Sequence, residues 1–199
     1  YYTIQNNGTA TFEDVTATAG NTGSSMIDNW GTLTITSGSY TGGLNVVKSE
    51  EGSKLTITGG TFTLDYATSG YTGVILVYGD TTISGGEFIQ SLTTTGRWNH
   101  PQVVVTGVVE GYTAITRVTG GHFVNKMSGE SIFHGVGKGT SDNFEVSGGT
   151  FNKSVPDSYF KTGYFAKKTA DGYTADGPYA VRLGTAAGYA TLEEAFAAA

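Results

Sequence analysis

A net charge of −6 over 199 residues, with 14% charged residues and no Lys/Arg run longer than Lys167-Lys168, excludes the basic stripe of a nucleic-acid binder. The chain has no cysteine, which excludes disulfides and thiolate metal centres, and no apolar stretch long enough to cross a bilayer. With 31 Gly but only 3 Pro, the glycines serve corners and turns in what reads as one elongated domain with a continuous core.

Taken from the start, Tyr1 to Ile4 reads as an incoming strand, followed by a turn at Asn6-Asn7-Gly8. Phe12-Glu13-Asp14-Val15-Thr16-Ala17 is the faint first copy of a phrase that then recurs: an apolar residue, a small polar one, a tight corner, and an aromatic five residues after the aliphatic. The clear copies are Ile35-Thr36-Ser37-Gly38-Ser39-Tyr40, Ile57-Thr58-Gly59-Gly60-Thr61-Phe62, Ile83-Ser84-Gly85-Gly86-Glu87-Phe88, Val118-Thr119-Gly120-Gly121-His122-Phe123 and Val146-Ser147-Gly148-Gly149-Thr150-Phe151. Alternation such as Leu55-Thr56-Ile57-Thr58 has the period of a strand, and the glycine pair permits positive φ at the corner. Second strands are expected ahead of each phrase, at Leu44 to Val47, Val74 to Tyr78, Gln102 to Thr106 and Ser131 to His134.

The corners fall at positions 14, 37, 59, 85, 120 and 148, steps of 22 to 35 residues, which suits the coils of a solenoid with variable insertions. Stacked in phase, the inward columns read Phe12/Ile35/Ile57/Ile83/Val118/Val146 and Tyr40/Phe62/Phe88/Phe123/Phe151, repeating at about 4.8 Å. An antiparallel sandwich has no reason to repeat one corner in phase. The predicted fold is therefore all-β, a right-handed parallel β-helix over residues 1–153.

After Phe151 the grammar changes. Residues 154–183 carry short aromatic strands around Asp171-Gly172 and Asp176-Gly177-Pro178, and predict a β-hairpin cap. Residues 184–199 end in a short helix, whose capping box is Thr191 with Glu194 and whose apolar face holds Leu192, Ala195 and Phe196. An uncapped first coil and a cut-short last helix lead us to expect a chain taken from a longer protein.

Three stretches carry a resemblance: the Ile57–Phe62 phrase with its copies, Val155-Pro156-Asp157-Ser158-Tyr159-Phe160-Lys161-Thr162-Gly163-Tyr164, and Gly188-Tyr189-Ala190-Thr191-Leu192-Glu193-Glu194-Ala195. Together they resemble large surface proteins of Gram-positive bacteria that carry right-handed, pectate-lyase-like β-helix repeats. In that family the last phrase opens a following module, so 184–199 is expected to begin one. The resemblance implies a secreted, wall-attached, adhesin-like protein outside the cell, whose partners are a host protein or glycan and the neighbouring modules of its own chain.

The same fold class includes polysaccharide lyases and glycoside hydrolases, which makes an enzyme the alternative. Those sites need clustered carboxylates on an outward face. The outward columns here read Thr11/Thr34/Thr56/Thr82/Arg117/Glu145 and Thr16/Ser39/Thr61/Glu87/His122/Thr150, where only Arg117/Glu145 and Glu87/His122 bring charged neighbours together. Cross-strand pairing accounts for both. No catalytic residue, cofactor or metal is expected, and His100 and His134 show no second ligand at metal-binding spacing. The candidate binding residues are Arg97, Trp98, Asn99 and His100 in the longest insertion, expected to loop outward, with Tyr66 and Tyr71 from the insertion before it. The competing role for Trp98 is to fold back as a cover over the stack.

Overall fold

Each copy of the phrase folds as strand, corner, strand, and the glycine pair has a separate task at each of its two positions. At the first, a side chain would strike the coil below: a Cβ on Gly85 would lie 2.3 Å from the Thr58 carbonyl oxygen. At the second the backbone turns through φ +99° at Gly86, open to glycine and strained for other residues. The faint first copy makes the same corner with Asp14 at φ 53°.

The computed structural model describes residues 2–20, 23–67, 70–94, 99–184 and 187–198. It is a parallel β-solenoid of about five turns. The coils comprise β1 (Ile4–Asn6), β2 (Thr9–Phe12) and β3 (Val15–Thr18); β4 (Ile27–Asn29), β5 (Thr32–Ile35) and β6 (Gly38–Thr41); β7 (Val47–Ser49), β8 (Lys54–Ile57) and β9 (Thr61–Leu64); and β10 (Gly70–Val77), β11 (Asp80–Ile83) and β12 (Glu87–Gln90). In the last two, β13 (Asn99–Val108) precedes β14 (Thr116–Asn125), and β15 (Phe133–Gly137) precedes β16 (Phe144–Phe151), with β14 and β16 running uninterrupted round the corner. The first strand of every coil joins the 6-stranded sheet A, in the order β1-β4-β7-β10-β13-β15. The strands on either side of the glycine corner form two rows of sheet B, joined through β14 and β16.

The inward columns have the expected register. Ile35, Ile57, Ile83, Val118 and Val146 are stacked neighbours and fully buried. The aromatic column is a continuous stack: ring centroids are 4.9 Å apart for Tyr40–Phe62, 5.0 Å for Phe62–Phe88, 4.9 Å for Phe88–Phe123 and 5.6 Å for Phe123–Phe151. Each such side chain contributes about 1.5–3 kcal/mol by burial alone. At the corner between sheets A and B the inward residue is polar. Asn6 Nδ2 donates to Asn29 Oδ1 (2.8 Å) and Asn29 Nδ2 to Ser49 Oγ (3.0 Å), while both amides also donate to carbonyls of the following coil, Asn6 to Thr32 and Asn29 to Lys54.

All the strands expected ahead of the phrases differ in their bounds, β15 running Phe133–Gly137 where Ser131 to His134 was expected, and β1 and β7 differ most. The first is Ile4–Asn6 rather than Tyr1 to Ile4, because it begins where it can pair with Ile27–Asn29. The strand expected at Leu44 to Val47 is Val47–Ser49. Asn45 and Val46 are buried ahead of it in a bend, where Asn45 bonds Ser25 Oγ and the Gly73 amide.

Beyond β16, β17 (Phe165–Thr169) and β18 (Gly172–Asp176) form an antiparallel hairpin, and β18 pairs antiparallel with the end of β16. Tyr159, Tyr164, Ala166, Tyr173 and Ala175 pack on the last coil, so the hairpin covers that end of the core. β19 (Val181–Leu183) and β20 (Ala187–Tyr189) form a second hairpin, followed by α1 (Leu192–Ala197) with the capping box of Thr191 and Glu194.

Candidate functional site

Outward residues of sheet B pair along the stack and do little else. Arg117 Nε lies 3.3 Å from Glu145 Oε2, with both side chains about half exposed. Glu87 and His122 lie opposite each other in register as expected, and the His122 Nδ1 bonds the partner on its other side, Thr150 Oγ1, at 2.7 Å.

Sheet A is different. Its register aligns Asp28, Lys48, Leu76, Val105 and His134 in one outward column, and the residues two positions on, Trp30, Glu50, Tyr78 and Gly107, in the next. Above this face β10 and β13 extend beyond the other strands, pairing Gly70 with Asn99, Tyr71 with His100 and Gly73 with Gln102. The insertion expected to loop outward therefore enters the sheet by Asn99. The extension bends sharply at Gly73, where a Cβ would stand 2.6 Å from the Ile75 carbonyl oxygen and 3.0 Å from Val105 Cγ2. Doubling back over Val105 brings Tyr71 toward His134, five positions away in register.

The result is a three-ring cluster. The Tyr71 ring stacks on His134 at 4.1 Å (15° between planes) and on His100 at 5.0 Å (29°). Glu130 anchors it: Oε1 lies 2.8 Å from His100 Nδ1, and Oε2 accepts from Gln102 Nε2. Gln102 is itself fixed, its Oε1 accepting from the Ser131 amide (2.9 Å) and hydroxyl (2.8 Å). Burial pushes the His134 imidazole below its ordinary pKa, Glu130 opposes that shift, and His100 adds to it. A neutral His134 thus lies against Tyr71, which remains 46% exposed despite both stacks. The cluster offers an aromatic surface, imidazole donors and a carboxylate, the equipment of recognition.

Of the residues expected from sequence, Tyr71 and His100 are brought together. Asn99 lies at the start of β13, its Nδ2 donating to the Ala67 carbonyl at 3.2 Å. Tyr66 is half-buried in the turn after β9 and joins no ring stack among the described residues. Arg97 and Trp98 lie outside the described residues. Sequence reading left His100 without a carboxylate or histidine neighbour; Glu130 and His134 are those neighbours, from one coil further on. The signal for His134 was its place in register with Val105, in the column that also holds Lys48 and Asp28.

At the other end of the face is a charged group. Asp28 Oδ2 accepts from Trp30 Nε1 at 2.7 Å and from Gln5 Nε2 at 3.1 Å, and Lys48 pairs with Glu50. Burial raises the pKa of Glu50, Lys48 pulls it down, and the adjacent Asp28 carboxyl pushes it up, with a net upward shift. Burial alone would lower the Lys48 pKa, but Glu50, with Tyr2 and Asp28, holds it above the ordinary value. Asp28 is 0% and Glu50 4% exposed, so this carboxylate pair does not present itself to a polymer at the surface. Among the described residues no group of three His, Asp, Glu or Cys side chains is arranged to hold a metal ion. No protein-family model, curated protein or solved structure matches the chain.

Proposed function

We propose that this chain is a module of an extracellular bacterial surface protein, of the right-handed, pectate-lyase-like β-helix kind, that presents a binding face for adhesion to a host protein or glycan. One observation carries the reading: Tyr71 is half exposed yet clamped by rings from the next two coils. An exposed aromatic whose rotamer is already fixed loses little entropy on binding, which is what a recognition anchor requires. Hydrogen-bonded strands hold it, and no loop rearrangement is needed to present it.

The test is Tyr71→Ala on the intact chain, measured on a glycan array, in a pull-down from host-cell surface proteins and by thermal melting. Binding to whichever partner is found should fall by about tenfold or more, with the melting temperature nearly unchanged. Undiminished binding removes this face from consideration. Turnover of a polysaccharide that disappears in Glu50→Gln would replace the binding reading with a lyase or hydrolase.

A further inference from the structure

The first part of sheet A's outer face, away from the Tyr71 cluster, holds a cavity of about 270 Å³ lined by Tyr2, Ser25, Asn45, Lys48, Leu76 and Tyr78. We infer that this cavity is a binding site for one ring of a neutral saccharide, independent of the site proposed above.

Size comes first. Sites for drug-sized ligands span about 300–1,000 Å³, so a cavity just under that range takes a single ring. Its walls are of two kinds. Leu76 and the rings of Tyr2 and Tyr78 supply apolar surface for the C–H face of a pyranose. Ser25, Asn45 and Lys48 supply hydrogen bonds for its hydroxyls, and they are held in place beforehand. Asn45 Nδ2 donates to Ser25 Oγ at 3.0 Å, leaving the serine hydrogen to donate elsewhere, and Asn45 Oδ1 accepts from the Gly73 amide at 2.9 Å. Lys48 is fixed by Glu50 and lies 5.7 Å from the Tyr78 ring centroid, with three N–H donors to distribute.

Charge decides the class of sugar. The Lys48 ammonium is matched by Glu50, and Asp28 lies behind both, so an acidic sugar meets no surplus positive charge. An amino sugar would bring a second cation against the ammonium. A neutral hexose meets neither penalty. Trp30, 46% exposed and tethered through its indole N–H to Asp28, continues the same face one column away and offers a platform for the next residue of a longer glycan.

The experiment is ligand-observed NMR and calorimetric titration of the intact chain with methyl glycosides of neutral hexoses, with glucuronide and glucosaminide controls. Gly23 lines the cavity, is exposed, and has no atom within 4 Å of an added Cβ, so Gly23→Trp blocks the cavity without disturbing the fold. At least one neutral glycoside should bind, Tyr2→Ala should weaken it about tenfold, Gly23→Trp should abolish it, and Tyr71→Ala should leave it unchanged. Binding confined to the charged controls, binding of none of the panel, or binding that survives both Gly23→Trp and Tyr2→Ala would each overturn the inference. Loss with Tyr71→Ala alone would overturn it too, and would return the sugar to the other site.

Discussion

Sheets A and B share one chain and one register, yet present contrasting surfaces. In sheet B the interior is a ladder of like residues, and the exterior is mostly threonine, whose hydroxyls and methyls serve the strands themselves. In sheet A the interior is equally apolar at Ile27, Val47, Ile75 and Val104, but the exterior changes at every coil: Asp28, Lys48, Leu76, Val105, His134. Repetition is what stacking requires, so a column that repeats reports on the core. A column that stops repeating is free of that constraint, and its side chains pair with one another, bend strands and present rings. The same lesson applies to strand length. The 4-residue strands β8, β9, β11 and β12 keep the repeat, whereas the 8- and 10-residue strands β10 and β13 carry the extension that positions Tyr71.

The largest break in this contrast should come from the repeated interior. Phe88 is fully buried with stacked rings on both sides, and neither neighbour can close the gap without leaving its own strand. Phe88→Ala should therefore cost about 4 kcal/mol, read by chemical denaturation. A loss below about 1 kcal/mol would mean that the stack does not carry the stability of the fold.

On the irregular face the corresponding target is the Lys48–Glu50 pair, whose side chains are 25% and 5% exposed. Lys48→Met leaves Glu50 buried without its cation, a loss of about 3 kcal/mol at neutral pH. The pH dependence has a definite sign. Because the folded-state pKa of Glu50 is raised, its contribution is fully present below the unfolded value and is lost as pH rises through the folded one. Removing Lys48 removes the one influence that lowers that pKa, so the variant should recover most of its loss as the pH falls toward the ordinary carboxylate range. A deficit independent of pH would show that packing of the lysine stem, not charge, is what the variant loses.

The sequence revealed the solenoid because its evidence is local and recurrent: six corners, five aromatics at a fixed distance, and alternation on either side. Every inward column of sheet B pairs in the register read from those corners. The binding face was only half legible. Tyr71 and His100 stood out as aromatic and basic residues in long insertions, but Glu130 and His134 reach them only through a bend at Gly73 and one further coil. No periodicity encodes that bend. Leu44 to Val47 looked like a strand because the run is apolar, whereas the Asn45 side chain takes up the backbone hydrogen bonding of a turn.

Sheet B's interior has one flaw, and it predicts a gain. Gln90 is fully buried in the inward column between Leu64 and Asn125, and neither atom of its amide has a hydrogen-bond partner among the described residues. Asn125, one coil on, satisfies its own amide against Pro101 and Ser131 carbonyls. Gln90→Met keeps the shape and removes the buried polar group, so stability should rise by about 1 kcal/mol. A fall of that size in the melting free energy would show that the glutamine amide is bonded in solution.

The smallest effect belongs to the charged pair on the regular face. Arg117 and Glu145 lie opposite each other on β14 and β16, 3.3 Å apart, with side chains 44% and 43% exposed. At that exposure water screens the attraction, and ordering two long side chains offsets much of what remains. A double-mutant cycle of Arg117→Ala and Glu145→Ala should return a coupling of about 0.5 kcal/mol that fades in high salt. A coupling well above about 1 kcal/mol, insensitive to salt, would mean that this pair is shielded as Lys48 and Glu50 are. The contrast between a structural face and a chemical one would then fail at the one ion pair that joins neighbouring coils among the described residues of sheet B.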